Sequence, residues 1–151
     1  MANVNDVAAY ILRQAGPMSA MKLQKLVYYS QAWHLVWDER PLFDQPIEAW
    51  ANGPVVPDLY RRHQGQYTLT NWPDGNSTRL SPSEQETVDG VVNAYGKYSA
   101  QQLSDLTHRE QPWIAARAGL GPTERSRRLI STDAMQEYYS AVASSSEADL
   151  V

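Results

Sequence analysis

The stretch SAMKLQKLVYYSQAWHLVWDER, Ser19 to Arg40, decides the fold of this chain. Apolar residues such as Leu23 and Leu26 recur along it at near-helical spacing, and in its second half aromatic and aliphatic residues also fill the other faces. A helix that is apolar almost all round is buried, because none of its faces suits water. The sequence therefore predicts a central helix that runs through the core and ends at Asp38-Glu39-Arg40.

Six further helical segments are predicted around this helix. They are VNDVAAYILRQA (4–15), PDLYRRHQ (57–64), the two segments that follow Ser81 and Ser99, PWIAARAG (112–119) and STDAMQEYYSAVA (131–143). Ser81 with Glu84, and Ser99 with Gln102, have the spacing of a capping box, in which each side chain bonds the backbone N–H of the other residue.

Between the central helix and the next helix, the spacing of apolar residues changes from that of a helix to that of an extended strand. The run from Leu42 to Trp50 is typical of a short extended strand at a sheet edge. Asn52-Gly53 then supplies positive φ, and Pro57 fits the first position of a helix. The stretch AWANGPVVPDLY (49–60) is thus predicted to be strand, rigid corner and helix. GQYTLTNWPDGNSTRL (65–80) is rich in turn formers and predicts a loop or second short strand, the most mobile internal segment.

These elements predict a mainly α fold with a small β element (α+β): a single compact helical domain with a short strand or hairpin. A chain of 151 residues suits one domain with one core. We assign residues 1–143 to the domain and expect SSSEADLV (144–151) to be a flexible C-terminal tail.

Composition limits the possible functions. The chain has no Cys, which excludes a disulfide framework, a thiolate nucleophile and a Cys-based metal site. No stretch approaches the roughly 20 apolar residues of a membrane helix, and the first residues lack a basic leader. We therefore expect a cytoplasmic protein without a membrane partner. The net charge of −4 repels polyanions, so a nucleic-acid partner is not expected.

Few residues could carry chemistry. His34, His63 and His108 lack the spacing of a metal-binding motif, so hydrogen-bonded structural histidines are predicted. Asp105 and His108 lie one helical turn apart, which fits an acid–base pair and equally a surface ion pair. No nucleophile elbow or phosphate-binding glycine loop occurs. We predict no catalytic residue, no metal and no cofactor, and hence no enzyme.

Two groups of cations have open interpretations. Lys22 and Lys25 lie in the first turns of the central helix, where the dipole disfavours cations. They either meet an acidic partner or form a solvated face with snorkelling stems, and we favour the solvated face. In ERSRRL (124–129) three arginines in four residues repel one another, so partner contact and solvation are equally compatible with the sequence.

The corner also has two interpretations. Trp50, Val55 and Leu59 could pack it onto the central helix, where each buried apolar side chain contributes about 1.5–3 kcal/mol. A rigid corner could instead expose backbone and aromatic edges to a partner at little entropic cost. The two interpretations are compatible with each other.

Three blocks, MKLQKLVYYSQAWHL (21–35), PLFDQPIEAWANGPVVPDLYRRHQG (41–65) and LSDLTHREQPWIAAR (103–117), together resemble the Panacea domain. This antitoxin-like family includes phage-associated proteins and SocA-type proteolysis adaptors. The resemblance spans nearly the whole chain, except the loop at 70–79 and the tail. The best-matching residues are Lys22, Gln24, Lys25, Trp33, His34, Trp50, Gly53, Pro54, Val55, Tyr60, Thr107, His108, Pro112 and Trp113.

The resemblance implies a largely helical domain that is the antitoxin of a two-gene toxin–antitoxin pair. It implies neutralisation of a cognate toxin, encoded nearby, by direct protein–protein binding. The alternative is a proteolytic adaptor that delivers a toxin to a AAA+ protease, and a DNA-binding regulator is a third possibility that the acidic charge disfavours. Because toxins differ widely across the family, the best-matching residues are expected to be mostly scaffold.

We expect the partner-binding surface to combine the strand and corner with the variable loop at 70–79. Its predicted residues are Glu48, Trp50, Asn52, Gly53, Pro54, Val55 and Trp72.

Overall fold

The structure, a computed structural model, describes the backbone of residues 1–149 and the side chains of residues 1–145. Its helices are α1 (Val4–Ala15), α2 (Ala20–Trp37), α3 (Pro57–His63), α4 (Pro82–Tyr95), α5 (Ala100–Thr107), α6 (Gln111–Ala116) and α7 (Thr132–Asp149). Its strands are β1 (Met18–Ser19), β2 (Glu48–Trp50), β3 (Gly53–Val55) and β4 (Thr68–Leu69). The predicted class, mainly α with a small β element, is confirmed.

The central helix predicted from its apolar faces is α2. It packs against α1, α4, α5, α7 and β3. Its tyrosines Tyr28 and Tyr29 are fully buried, in line with a helix enclosed on nearly every side. At its start the Ser19 side chain accepts the Lys22 backbone N–H at 3.1 Å. Its polar residues also face the interior, and they hold the candidate site described below.

The β structure consists of two antiparallel ribbons. In the first, β1 pairs with β4 and Met18 lies opposite Leu69. The sequence did not predict β1, and β4 matches the option of a second short strand at 65–80. In the second, β2 and β3 form a hairpin with Trp50 opposite Gly53. The strand predicted from Leu42 is confirmed only at its end, since β2 begins at Glu48.

Three of the predicted helix starts are confirmed by side-chain caps. Both capping boxes form: Ser81 with Glu84 at α4, and Ser99 with Gln102 at α5. The Ser131 side chain accepts the Ala134 N–H at 3.0 Å and so caps α7.

Helix α7 begins where the sequence predicts and continues past residue 143 to Asp149. The domain boundary at 143 and the flexibility of the tail stay predictions, and residues 150–151 of that tail lie outside the described part. Within the described residues, no helix is both long and apolar enough to cross a membrane.

Candidate partner-binding site

Side chains of α2 bond the backbone that leads into and out of the hairpin. Gln24 accepts the Val56 N–H at 2.8 Å and donates to the Val56 carbonyl at 3.2 Å. Gln31 likewise accepts the Leu42 N–H at 2.7 Å and donates to the Phe43 carbonyl at 2.8 Å. These buried amides satisfy backbone groups as a neighbouring strand would. The hairpin is therefore fixed to the central helix by polar as well as apolar contacts.

Lys25 lies beneath the hairpin and is 0% exposed. Its ammonium group donates to the Pro54 carbonyl at 3.1 Å. Desolvation by burial lowers the pKa of Lys25 to about 7. The solvated face that we favoured is therefore wrong for Lys25, because β3 covers it. Lys22 is half-buried and donates to the Gly96 carbonyl at 2.6 Å.

Gly53 lies at the turn of the hairpin, in a position that favours glycine over other residues. Its φ of 123° lies in the region that favours glycine, which confirms the predicted positive φ. A Cβ atom at this position would lie 2.6 Å from Cε of Lys25 and 3.2 Å from Oγ1 of Thr107. Backbone conformation and close packing thus require the same residue.

Side chains from α5 and from the region of α6 bond the backbone carbonyls of the corner. Ser104 Oγ donates to the Asn52 carbonyl at 2.6 Å, and Trp113 Nε1 donates to the Trp50 carbonyl at 2.8 Å. Arg117 Nη1 donates to the Ala49 carbonyl at 2.9 Å. Each of these carbonyls already accepts one bond from within the chain, which fixes the shape of the corner. That the corner offers backbone or side chains to a partner stays a prediction.

The predicted partner-binding residues differ in accessibility. Trp50 is half-buried and Asn52 is exposed. The other five, Glu48, Gly53, Pro54, Val55 and Trp72, are buried. Their part in binding stays a prediction, and burial favours a supporting role for these five.

Aromatic rings connect the corner with the variable loop. Ring centroids lie 4.8 Å apart for Trp50 and Tyr60, 5.4 Å for Tyr60 and His63, and 6.2 Å for His63 and Trp72. The two middle rings belong to α3. The predicted surface is therefore brought together through α3.

The variable loop is anchored to α1. Asn76 donates its backbone N–H to Asp6 at 2.8 Å, and the Trp72 indole donates to the Asn5 side chain at 3.0 Å. A Cβ atom on Gly75 would overlap the Asn5 carbonyl. These contacts fix the loop's position on α1, while its mobility stays a prediction.

A half-buried face runs from the corner towards the chain that precedes α7. The Trp50 indole donates to Glu48 Oε1 at 2.8 Å, and Nε of Arg127 lies 3.7 Å from the same oxygen. On its other side Trp50 meets the half-buried Tyr60 edge to face. Trp, Tyr and Arg are the residue types enriched in binding hot spots.

The predicted hydrogen bonds are confirmed for His34 and His63, whereas Nε2 of His108 is buried without a partner among the described residues. His34 contacts Thr87 Oγ1 at 2.9 Å through Nδ1, and His63 contacts an α2 glutamine. The ring of His108 stacks on Trp113 at 4.1 Å. Desolvation lowers the pKa of each of the three, which favours the neutral form. The described residues contain no group of three or more His, Cys, Asp or Glu that could hold a metal.

The acid–base interpretation of Asp105 and His108 finds no support in the contacts. The Asp105 carboxylate accepts from the Gln101 side chain at 2.9 Å. A half-buried carboxylate at this end of the molecule is Glu110, which accepts the hydroxyls of Tyr29 (2.6 Å) and Tyr139 (2.8 Å). Burial raises the pKa of Glu110. These bonds join α2 and α7 at the start of α6.

Sequence reasoning missed two charged residues of the site region. Glu110 and Arg117 flank α6, and the guanidinium of Arg117 is buried against backbone carbonyls. Both lie within the block at 103–117, but neither is among the best-matching residues, and their partners are distant in sequence. The local signal beside them is the proline in the first turn of α6.

Comparison with known proteins agrees with this scaffold. The family model described as antitoxin SocA-like, Panacea domain matches residues 23–114, which hold most of α2, the hairpin and α3 to α5. The protein named antitoxin SocA from Caulobacter vibrioides (strain NA1000 / CB15N) is 32% identical over 118 residues, 70% of this chain. The chain covers 63% of the length of that relative. No solved structure matches it. The chain belongs to the antitoxin SocA-like, Panacea domain family.

Proposed function

We propose that this protein is an antitoxin that neutralises one cognate toxin, encoded nearby, by direct protein–protein binding. Membership of an antitoxin-like family is the observation that carries the proposal. The proposal extends to this chain the activity that the name of its relative states. In it the protein acts in the cytoplasm, binds no cofactor and catalyses no reaction.

The inward orientation of several best-matching residues supports a common scaffold with variable contacts. Gln24, Lys25 and Trp113 all donate side-chain hydrogen bonds to backbone carbonyls around the hairpin. Such bonds fix the shape of the corner and leave exposed positions free to change with the toxin. Different toxins could then be bound by the same framework.

We place the contact at the half-buried face around Trp50. Asn52 is exposed beside it, and Gly53, Pro54 and Val55 are buried in β3, which pairs with the strand of Trp50. A rigid aromatic anchor loses little entropy when it binds. Trp72 is buried and supports the variable loop, whose exposed residues complete the surface in this proposal.

The test is co-expression with the product of the adjacent reading frame. We expect that product to arrest growth, this protein to restore it, and the two to purify together. Growth restored together with disappearance of the toxin, and only when a AAA+ protease is present, would replace direct inhibition by the adaptor mechanism. A toxin that still arrests growth in the presence of this protein would refute the proposal.

The contact surface is tested by two matched tryptophan variants. Trp50→Ala should weaken toxin binding by about 30-fold or more, since truncation of a hot-spot residue costs at least ~2 kcal/mol. Trp37→Ala is the control, because Trp37 is 52% exposed at the far end of α2. Circular dichroism must show both variants folded. Equal binding by Trp50→Ala and wild type would remove the corner from the interface.

A further inference from the structure

Residues 121–129 are here called the arginine strap, and the end of the strap pairs with the outer edge of β2. Ala49 donates its backbone N–H to the Arg128 carbonyl at 2.7 Å, and Ile130 donates to the Ile47 carbonyl at 2.9 Å. Between these bonds Glu48 and Leu129 form an antiparallel bridge. The end of the strap thus acts as a third strand beside the hairpin.

This pairing leaves an open edge at Leu129. The two bonds flank the bridge, so Glu48 and Leu129 are a non-hydrogen-bonded pair, and the Leu129 N–H and C=O point away from β2. Within the described residues neither group has a hydrogen-bond partner. The Leu129 side chain is 62% exposed. An unpaired strand edge of this kind is a template for another chain.

The strap is positively charged in an acidic protein. Three arginines and one glutamate lie within the strap, while the whole chain has a net charge of −4. Arg127 is 82% exposed, and Glu48 is its partner at 3.7 Å. Arg125 is exposed and makes no ion pair within the described residues. Two exposed arginines therefore precede the open edge by two and four residues.

Two other arginines hold the strap in place. The buried Arg117 donates to the carbonyls of Gly121 (3.0 Å) and Glu124 (2.6 Å). Arg128 donates to the Ala118 carbonyl at 2.7 Å. The strap is thereby positioned before any partner arrives, which lowers the entropic cost of binding.

We propose that the arginine strap is the docking edge for an extended acidic segment of the cognate toxin. The segment's backbone pairs with the N–H and C=O of Leu129, and its carboxylates meet Arg125 and Arg127. This is strand addition with charge complementarity, and it rests on the proposed function. A peptide fits better than a nucleic acid, because the edge offers backbone hydrogen bonds and an exposed leucine within a chain whose net charge repels polyanions.

The first test measures toxin affinity by calorimetry at low and high salt. Arg125→Glu/Arg127→Glu should weaken binding by about 10-fold or more at low salt and reduce its salt dependence. The control Arg13→Glu/Arg40→Glu makes the same charge change on exposed arginines elsewhere and should change the affinity less than about 2-fold. Leu129→Pro removes an N–H that has no hydrogen-bond partner among the described residues, so it should weaken toxin binding while the fold is kept. Leu129→Ala keeps this N–H and should bind the toxin more tightly than Leu129→Pro.

The second test needs no toxin. Hexaglutamate peptide is titrated into ¹⁵N-labelled wild-type protein at low salt, and amide shifts should concentrate at the strap and disappear in Arg125→Glu/Arg127→Glu. If these shifts occur but no toxin binds, the proposed function fails and the acidic docking edge remains. If toxin binds all variants with wild-type affinity, or hexaglutamate shifts no strap amide, the docking edge is refuted. A DNA duplex that shifts the same amides more strongly than hexaglutamate would overturn the choice of partner.

Discussion

Lys25→Met tests the most unusual energetic feature of the scaffold, a lysine that is 0% exposed beneath the hairpin. Burial lowers the pKa of Lys25 from 10.5 to about 7, whereas in the unfolded chain the ammonium group is solvated. Between these values the unfolded state binds a proton that the folded state does not. The folded state is therefore stabilised as pH rises from 7, and this contribution is lost as pH falls through about 7.

The magnitude follows from linkage. In this window one proton difference changes the free energy of unfolding by about 1.4 kcal/mol per pH unit. Because the folded group is about half protonated at pH 7, the gain between pH 7 and 9 is about 2 kcal/mol. Methionine cannot titrate, so the variant should lack this gain. The variant also loses the bond to the Pro54 carbonyl, which lowers its free energy of unfolding by the same amount at each pH.

The assay is urea unfolding at pH 7, 8 and 9, followed by far-UV circular dichroism. The wild-type free energy of unfolding should rise relative to that of Lys25→Met by about 2 kcal/mol across the series. Gln24→Met is the matched control, because it removes the bonds to Val56 without removing a titratable group, and its curve should run parallel to wild type. Parallel curves for wild type and Lys25→Met would refute the assignment of a neutral buried lysine.

Three further substitutions test other contacts of the scaffold. Gly53→Ala should lower the free energy of unfolding by about 2–4 kcal/mol in urea titrations, because φ is positive and the added Cβ meets the buried lysine, and a loss below about 1 kcal/mol would contradict that packing. Gln31→Ala should cost about 2–4 kcal/mol by the same measurement, since it leaves buried backbone groups without partners, and an unchanged midpoint would contradict this. Burial raises the pKa of Glu110, so its contribution is full below the unfolded pKa and is lost as pH rises through the folded pKa. Glu110→Gln keeps an acceptor for the two tyrosine hydroxyls and cannot ionise, so its stability relative to wild type should increase from pH 4.5 towards neutrality in thermal unfolding scans, and a constant difference would contradict the raised pKa.

Features with a local signal could be predicted from the sequence. The all-round apolar pattern identified α2 as the central helix, and Ser81 and Ser99 marked the starts of α4 and α5. The φ of Gly53 followed from the Asn-Gly pair. In each case the residues that decide the structure lie within a few positions of one another.

Features that depend on distant partners could not be predicted. Lys25 looks like a surface residue in any periodicity analysis, and only the return of the chain at Pro54 buries it. Arg117 is similar, since its acceptor at Ala49 lies 68 residues away. The edge at Leu129 depends on pairing with β2, and no local sequence pattern indicates that pairing. The part of the predicted residues in binding therefore stays a prediction, and what the sequence could not foresee is that five of the seven are buried.

Calorimetric titration of the purified product of the adjacent reading frame with wild-type protein, with no protease present, tests the central claim most directly. Direct neutralisation predicts a saturable complex of defined stoichiometry that also abolishes the toxin's effect on growth when the two are co-expressed. A toxin that gives no binding signal with the folded protein, although the protein protects cells from it, would contradict direct binding.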